Sequence, residues 1–189
     1  MSSEEAPPAP LKQFALVSYI PHPLGAFLDG LRLELVPDCS PHAHVTILPP
    51  RPIYGCADEA AGELNALATR FADFEVELGD VEMFPQSKVI YIGLRRGELE
   101  LHRMYRALNQ GAVSYCEPYP YHPHITLVQN VEPDLVPPMF QMAARRWADY
   151  AGPRTFSVHT MDFVKNLEGS CWKDLASIRL QPVTSAAYT

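Results

Sequence analysis

His42-Ala-His44-Val-Thr46-Ile-Leu48 is followed, eighty positions later, by His122-Pro-His124-Ile-Thr126-Leu-Val128. Two histidines and a threonine recur in register, with Val or Ile, Ile or Leu, and Leu or Val at the apolar positions. On an extended strand successive side chains point to opposite faces. His42, His44 and Thr46 therefore share one face, with Val45 and Ile47 behind them. His122, His124 and Thr126 share the equivalent face, with Ile125 and Leu127 behind. Packing accounts for a repeated Val or Leu, but not for a repeated His-x-Thr.

The same offset relates Val76 to Phe156, Leu78 to Val158, Val81 to Met161 and Met83 to Phe163. The phrases are thus embedded in a duplicated layout. Lys12–Ile20 reads as a buried strand, and Pro23–Leu35 as a helix carrying Leu24, Phe27, Leu28, Leu31 and Leu35 at helical spacing. The first phrase is a short strand that Pro49-Pro50 should stop. Asp58–Phe71 is a helix, and Phe74–Phe84 and Lys88–Leu94 are strands joined by a turn at Pro85-Gln86-Ser87. Glu98–Leu108 is an amphipathic helix that precedes the second phrase. Asp134–Tyr150 follows as a helix delayed by Pro137-Pro138, then strands at Thr155–Lys165 and Trp172–Gln181. Two copies are too few for a solenoid. The expected architecture is α+β, with two pseudo-symmetric lobes of small antiparallel sheets flanked by helices and a cleft between them. One bilobal domain should span residues 12–181, its halves meeting around 95–122, with tails at 1–11 and 182–189.

The chain has 189 residues and a formal charge of −7, with 47% apolar and 20% charged residues. That composition is ordinary for a globular domain. The acidic balance, with no basic run, argues against long nucleic acids, which are held by Lys and Arg on phosphates. No apolar run approaches the ~20 residues that span a bilayer, so no membrane partner is expected. The acidic, Pro-rich start does not read as a secretory signal, which makes the cytoplasm the expected location. The scattered Cys39, Cys56, Cys116 and Cys171 read as reduced thiols.

Facing imidazoles suit a reaction that needs a base and an acid together, since histidine titrates near neutrality. A threonine hydroxyl two residues on can donate to a charged oxygen beside each histidine. Two proton shuttles and two hydroxyl donors around one anion describe phosphodiester chemistry without a metal.

At this level the chain resembles the two-histidine (2H) phosphoesterase superfamily, and within it the bacterial 2′-5′ RNA ligase-like and cyclic phosphodiesterase proteins. His44-Val-Thr-Ile-Leu-Pro-Pro-Arg51 and Pro123-His-Ile-Thr-Leu127 carry the likeness. The resemblance implies an enzyme without cofactor that opens or forms 2′,3′-cyclic phosphates or cuts 2′-5′ linkages. It implies His44 and His124 as the acid/base pair and Thr46 and Thr126 as phosphate ligands. With the acidic charge balance, the expected partner is a small cyclic-phosphate nucleotide or an RNA terminus, and the protein is expected to be a monomer.

His42 and His122 exceed the minimal motif. Four histidines as two His-x-His strands could instead chelate Zn²⁺ or Fe²⁺ in a metal-dependent hydrolase. A third reading is a module that binds a phosphorylated end without turnover. Arg51 is a candidate phosphate ligand, and Phe84 and Tyr91 are candidates for stacking a base, against core packing. Tyr115, Tyr119 and Tyr121 are candidate rim residues, and Trp147 and Trp172 are expected in the core.

Overall fold

The computed structural model describes residues 13–39, 42–168 and 171–183. The expected tail at 1–11 lies outside the described residues, as does 184–189 of the other. Among the described residues, eight strands and four α-helices follow in the order β1 (Phe14–Tyr19), α1 (Leu24–Leu35), β2 (His44–Arg51), α2 (Ala57–Ala68), β3 (Phe74–Met83), β4 (Ile90–Arg96), α3 (Glu98–Leu108), β5 (Ile125–Val128), α4 (Val136–Ala148), β6 (Thr155–Val158), β7 (Thr160–Glu168) and β8 (Cys171–Arg179). They form two four-stranded antiparallel sheets, ordered β2-β1-β7-β8 and β5-β4-β3-β6. This is the expected α+β pair of lobes, with one sheet for each histidine phrase.

The lobes exchange strands. β3 comes from the first half of the chain but pairs with β4, beside the second phrase. β7 comes from the second half and pairs with β1, beside the first phrase. The segment expected as one strand from Thr155 breaks at His159, so that β6 joins one sheet and β7 the other. Val76 and Phe156, related by the repeat offset, are direct partners across the β3–β6 ladder. The pseudo-twofold axis therefore passes through the point where the two halves interlock.

One continuous apolar core joins both sheets to the helices. Leu24, Leu28, Leu31 and Leu35 form the inner stripe of α1, all nearly inaccessible. Burying a Leu side chain contributes about 1.5–3 kcal/mol, so this stripe anchors α1 firmly. Trp147 of α4 is buried as expected and donates its Nε1–H to the Gly79 carbonyl at 2.8 Å. Trp172, expected in the core, instead lies 39% exposed on β8, because β8 is a sheet edge.

Prolines interrupt less than expected. β2 runs through Pro49-Pro50 to Arg51, which pairs with Phe14. An edge strand tolerates residues that cannot donate to the ladder, and β2 is an edge. Pro137 falls in the first turn of α4, where the missing N–H would have no helical partner anyway, so the helix begins at Val136, only two residues after Asp134. Among the described residues no helix is long and apolar enough to cross a membrane. The four cysteines are unpaired, Cys39 half-buried and the others exposed.

Candidate active site

The two phrases run into the edge strands β2, which starts at His44, and β5, which starts just after His124, and these strands touch where the sheets meet. Val45, Ile47, Ile125 and Leu127 are buried in the core, while His44, His124, Thr46 and Thr126 turn to the other side and stay partly accessible. The strand alternation assigns the faces as the sequence does.

Each phrase holds its inner histidine in the same way. His44 Nδ1 lies 2.6 Å from the His42 carbonyl oxygen, and His124 Nδ1 lies 2.7 Å from the His122 carbonyl oxygen. A carbonyl only accepts, so in both rings Nδ1 carries the hydrogen and donates it. The neutral rings are thereby held in one tautomer, with an unshared pair on Nε2. Both Nε2 atoms are left to act on a bound molecule. His44 is pushed down to about 4, first by burial and then by the nearby charges of Arg32, His42 and His124, against the raising effect of its carbonyl partner. Burial also lowers His124, and the His42 counterpart, His122, adds repulsion. Both rings are therefore neutral at pH 7 in the free protein.

The outer histidines serve the walls. His42 stacks flat on Tyr19, with ring centroids 3.6 Å apart and planes at 8°. Tyr19 faces His44 across the β1–β2 ladder and donates its hydroxyl to Asp174 at 2.6 Å. The other lobe mirrors this pattern. Tyr91 faces Thr126 across β4–β5 and donates to Glu82 at 3.0 Å. Burial first, and then the Glu82 carboxylate, push the Tyr91 phenol up to about 12. Phe84 stacks on Tyr91 at 4.2 Å, and both rings meet His122 and His124 nearly edge-on. Phe84 and Tyr91 thus pack against the site histidines and not in the main apolar core. Each tyrosine hydroxyl is spent on a carboxylate, so each acts as a fixed aromatic wall.

Arg51 is corrected from a phosphate ligand to a structural residue. Its guanidinium is 1% exposed and pairs with Glu117 at 2.9 Å. Its remaining donors reach Pro49 O at 2.9 Å, Asn109 Oδ1 at 2.7 Å and Val113 O at 3.0 Å. It clamps the end of β2 to the loop after α3. Tyr121, a candidate rim residue, crosses between the phrases. It stacks on Tyr105 at 4.3 Å and donates its hydroxyl to the Thr46 carbonyl at 2.7 Å.

Four-histidine chelation is not assembled. Among the described residues no three His, Cys, Asp or Glu side chains converge as a metal site would require. The two Nδ1 atoms are committed to carbonyls, and His42 lies against Tyr19. The hydroxyls of Thr46 and Thr126 make no hydrogen bond to another described residue, which leaves them to donate to a ligand. Tyr19 and Arg32 were not singled out from sequence. Tyr19 carries no motif signal, because its role depends on which strand lies beside it.

The family model for the 2′-5′ RNA ligase superfamily matches residues 21–170. Among solved structures, E. coli LigT in apo form is 17% identical with a TM-score of 0.61, and the alignment covers 92% of this chain and 99% of that one. E. coli LigT complexed with 3′-AMP is 18% identical over the same shares, with a TM-score of 0.59. TT0787 of Thermus thermophilus is 18% identical with a TM-score of 0.60, covering 91% of this chain and 100% of that one. These likenesses concern the fold. A search of curated proteins found no match.

Proposed function

Because the chain belongs to the 2′-5′ RNA ligase superfamily, whose model spans residues 21–170, we propose that it is a phosphodiesterase that opens 2′,3′-cyclic phosphates by paired-histidine acid/base catalysis. The observation that carries this reading is the mirrored geometry of His44 and His124. Both rings are held by Nδ1 on the carbonyl two residues back, so both present Nε2.

The tautomer limits the chemistry. A ring that donates from Nδ1 can accept a proton at Nε2 while neutral, but can donate from Nε2 only as the imidazolium. One histidine must therefore be neutral and the other doubly protonated in the productive complex. A bound phosphate anion favours that extra proton, since an opposite charge nearby stabilises the charged form. The Arg32 charge, which opposes a proton on His44 and is absent from the groups that act on His124, suits His44 to the base. Water loses a proton to His44 Nε2 as its oxygen bonds to phosphorus. The phosphorus–oxygen bond to the departing ribose oxygen breaks, and His124 Nε2–H protonates that oxygen. A phosphate monoester remains, and a proton passed back from His44 to His124 through solvent resets the pair. Thr46 and Thr126 hydroxyls donate to the phosphate oxygens, where charge accumulates in the transition state.

The substrate is a small nucleotide or an RNA end. The acidic chain offers no basic track for a long strand, and LigT accommodates 3′-AMP. The test is turnover of 2′,3′-cyclic nucleotides and cyclic-phosphate-ended oligonucleotides in the presence of EDTA. His44→Ala and His124→Ala should each lose about 10²–10⁴ in rate. Full activity in either variant, or tight binding without any product, would overturn the reading.

A further inference from the structure

The site as described lacks a fixed cation. Two neutral imidazoles and two hydroxyls can hydrogen-bond a phosphate, but none of them cancels its charge. Arg51, the arginine nearest in sequence, is locked to Glu117 and three other acceptors.

Arg32 is placed differently. It lies on α1, which is fixed to the core by the leucine stripe. One turn earlier on the same flank, Asp29 accepts the backbone N–H of Ala43 at 2.7 Å, which ties α1 to the residue between His42 and His44. Residues three apart on a helix are neighbours, so Arg32 stands beside that tie. The end of the helix is held as well, since the Arg32 carbonyl accepts from Val36 N–H at 2.8 Å and from the Cys39 thiol at 3.7 Å. α1 also packs on β5, the strand of the second phrase. Arg32 is thus carried by a helix in contact with both phrases. Its Nε is buried, and among the described residues it has no hydrogen-bond partner and its guanidinium forms no ion pair. A buried, unmatched donor on a charged group costs stability, so its persistence beside a reactive site calls for a ligand. The Arg32 charge also disfavours the protonated form of His44.

We propose that Arg32 is the phosphate-gripping cation of this site, reaching from α1 to an anionic phosphate oxygen between the two His-x-Thr phrases. A guanidinium suits the task because it stays charged and presents a planar fork that matches two phosphate oxygens. Arg32 then supplies the standing charge, while His44 stays neutral as the base and His124 carries the proton that it transfers.

The proposal rests on the phosphoester reading, and the test separates the two. Inorganic phosphate and adenosine 3′-monophosphate are titrated into wild type, Arg32→Gln and Arg103→Gln, the last an exposed arginine of α3 as a charge control. Arg32→Gln should bind both probes about 10- to 100-fold more weakly, the effect of losing a charge-assisted pair, and Arg103→Gln should match wild type. In parallel, the guanidinium N–H signals of Arg32 in the wild-type protein should shift on phosphate addition, a readout that does not depend on any variant folding. Equal affinities in Arg32→Gln, or unmoved Arg32 signals at saturating phosphate, overturn the proposal. If wild type takes up neither probe, the phosphoester reading fails instead.

Discussion

Replacing Arg51 by Met should unfold the protein more readily without removing a substrate contact. The guanidinium is 1% exposed, and the Glu117 side chain that it pairs with is 9% exposed. Breaking a buried ion pair by removing one partner costs about 3–5 kcal/mol, because the other charge is left uncompensated. Here the Asn109 amide oxygen and the Pro49 and Val113 carbonyls lose donors as well. At about 2–4 °C per kcal/mol for a chain of this size, Tm should fall by about 10 °C or more. The assay is thermal and urea unfolding of Arg51→Met, Glu117→Gln and the double variant. Removing the Glu117 charge should return about 1–3 kcal/mol in the Arg51→Met background, a coupling that only a direct pair produces. Below the new melting temperature, Arg51→Met should keep its affinity for adenosine 3′-monophosphate within about threefold, under 1 kcal/mol. An Arg51→Met protein as stable as wild type that had lost phosphate binding would refute the structural assignment.

Three further outcomes follow from the site. His44 sits well below its unfolded value, at about 4 against 6.5, so the unfolded chain takes up its proton first as pH falls. Stability should therefore be unaffected above pH 6.5 and decline between 6.5 and 4, by up to about 3 kcal/mol at 1.36 kcal/mol per unit. Urea midpoints of His44→Gln should show a shallower decline over that window; equal slopes would contradict the burial of the ring. Thr46→Val and Thr126→Val should each lower kcat/KM by about 10- to 100-fold, the range for a lost hydroxyl donor at developing charge. Their stability should stay within about 0.5 kcal/mol, since neither hydroxyl bonds another described residue. Tyr121→Phe should cost about 1 kcal/mol by freeing the Thr46 carbonyl, read from denaturant midpoints.

Local pattern and tertiary placement divide cleanly among these residues. The two-residue period separated Val45 and Ile47 from His44 and Thr46 before any strand was paired, because alternation is a property of the extended backbone itself. α3 lies at Glu98–Leu108 as its apolar spacing predicts. Boundaries failed where a proline rule depended on context. Pro49-Pro50 can continue β2 only because no strand pairs on its far side, a fact that belongs to the sheet order. Trp172 failed for the same reason, since an edge strand leaves a large side chain exposed. Arg51 and Arg32 show the converse error. Proximity in sequence pointed to Arg51, yet Glu117, sixty-six positions away, captures it, while Arg32 approaches the phrase through a helix.

The sequence by itself determined that a half-domain is duplicated, which face of each phrase is polar, and that His44, Thr46, His124 and Thr126 form its shared polar set. These are consequences of chemistry and backbone period, which need no partner strand. Only the tertiary structure decided that the lobes exchange β3 and β7, that Nε2 of both histidines is the free nitrogen, and which arginine is spent and which unmatched. Those outcomes depend on which distant groups share a buried space, where each donor takes the acceptor within reach, and chain order carries no record of that.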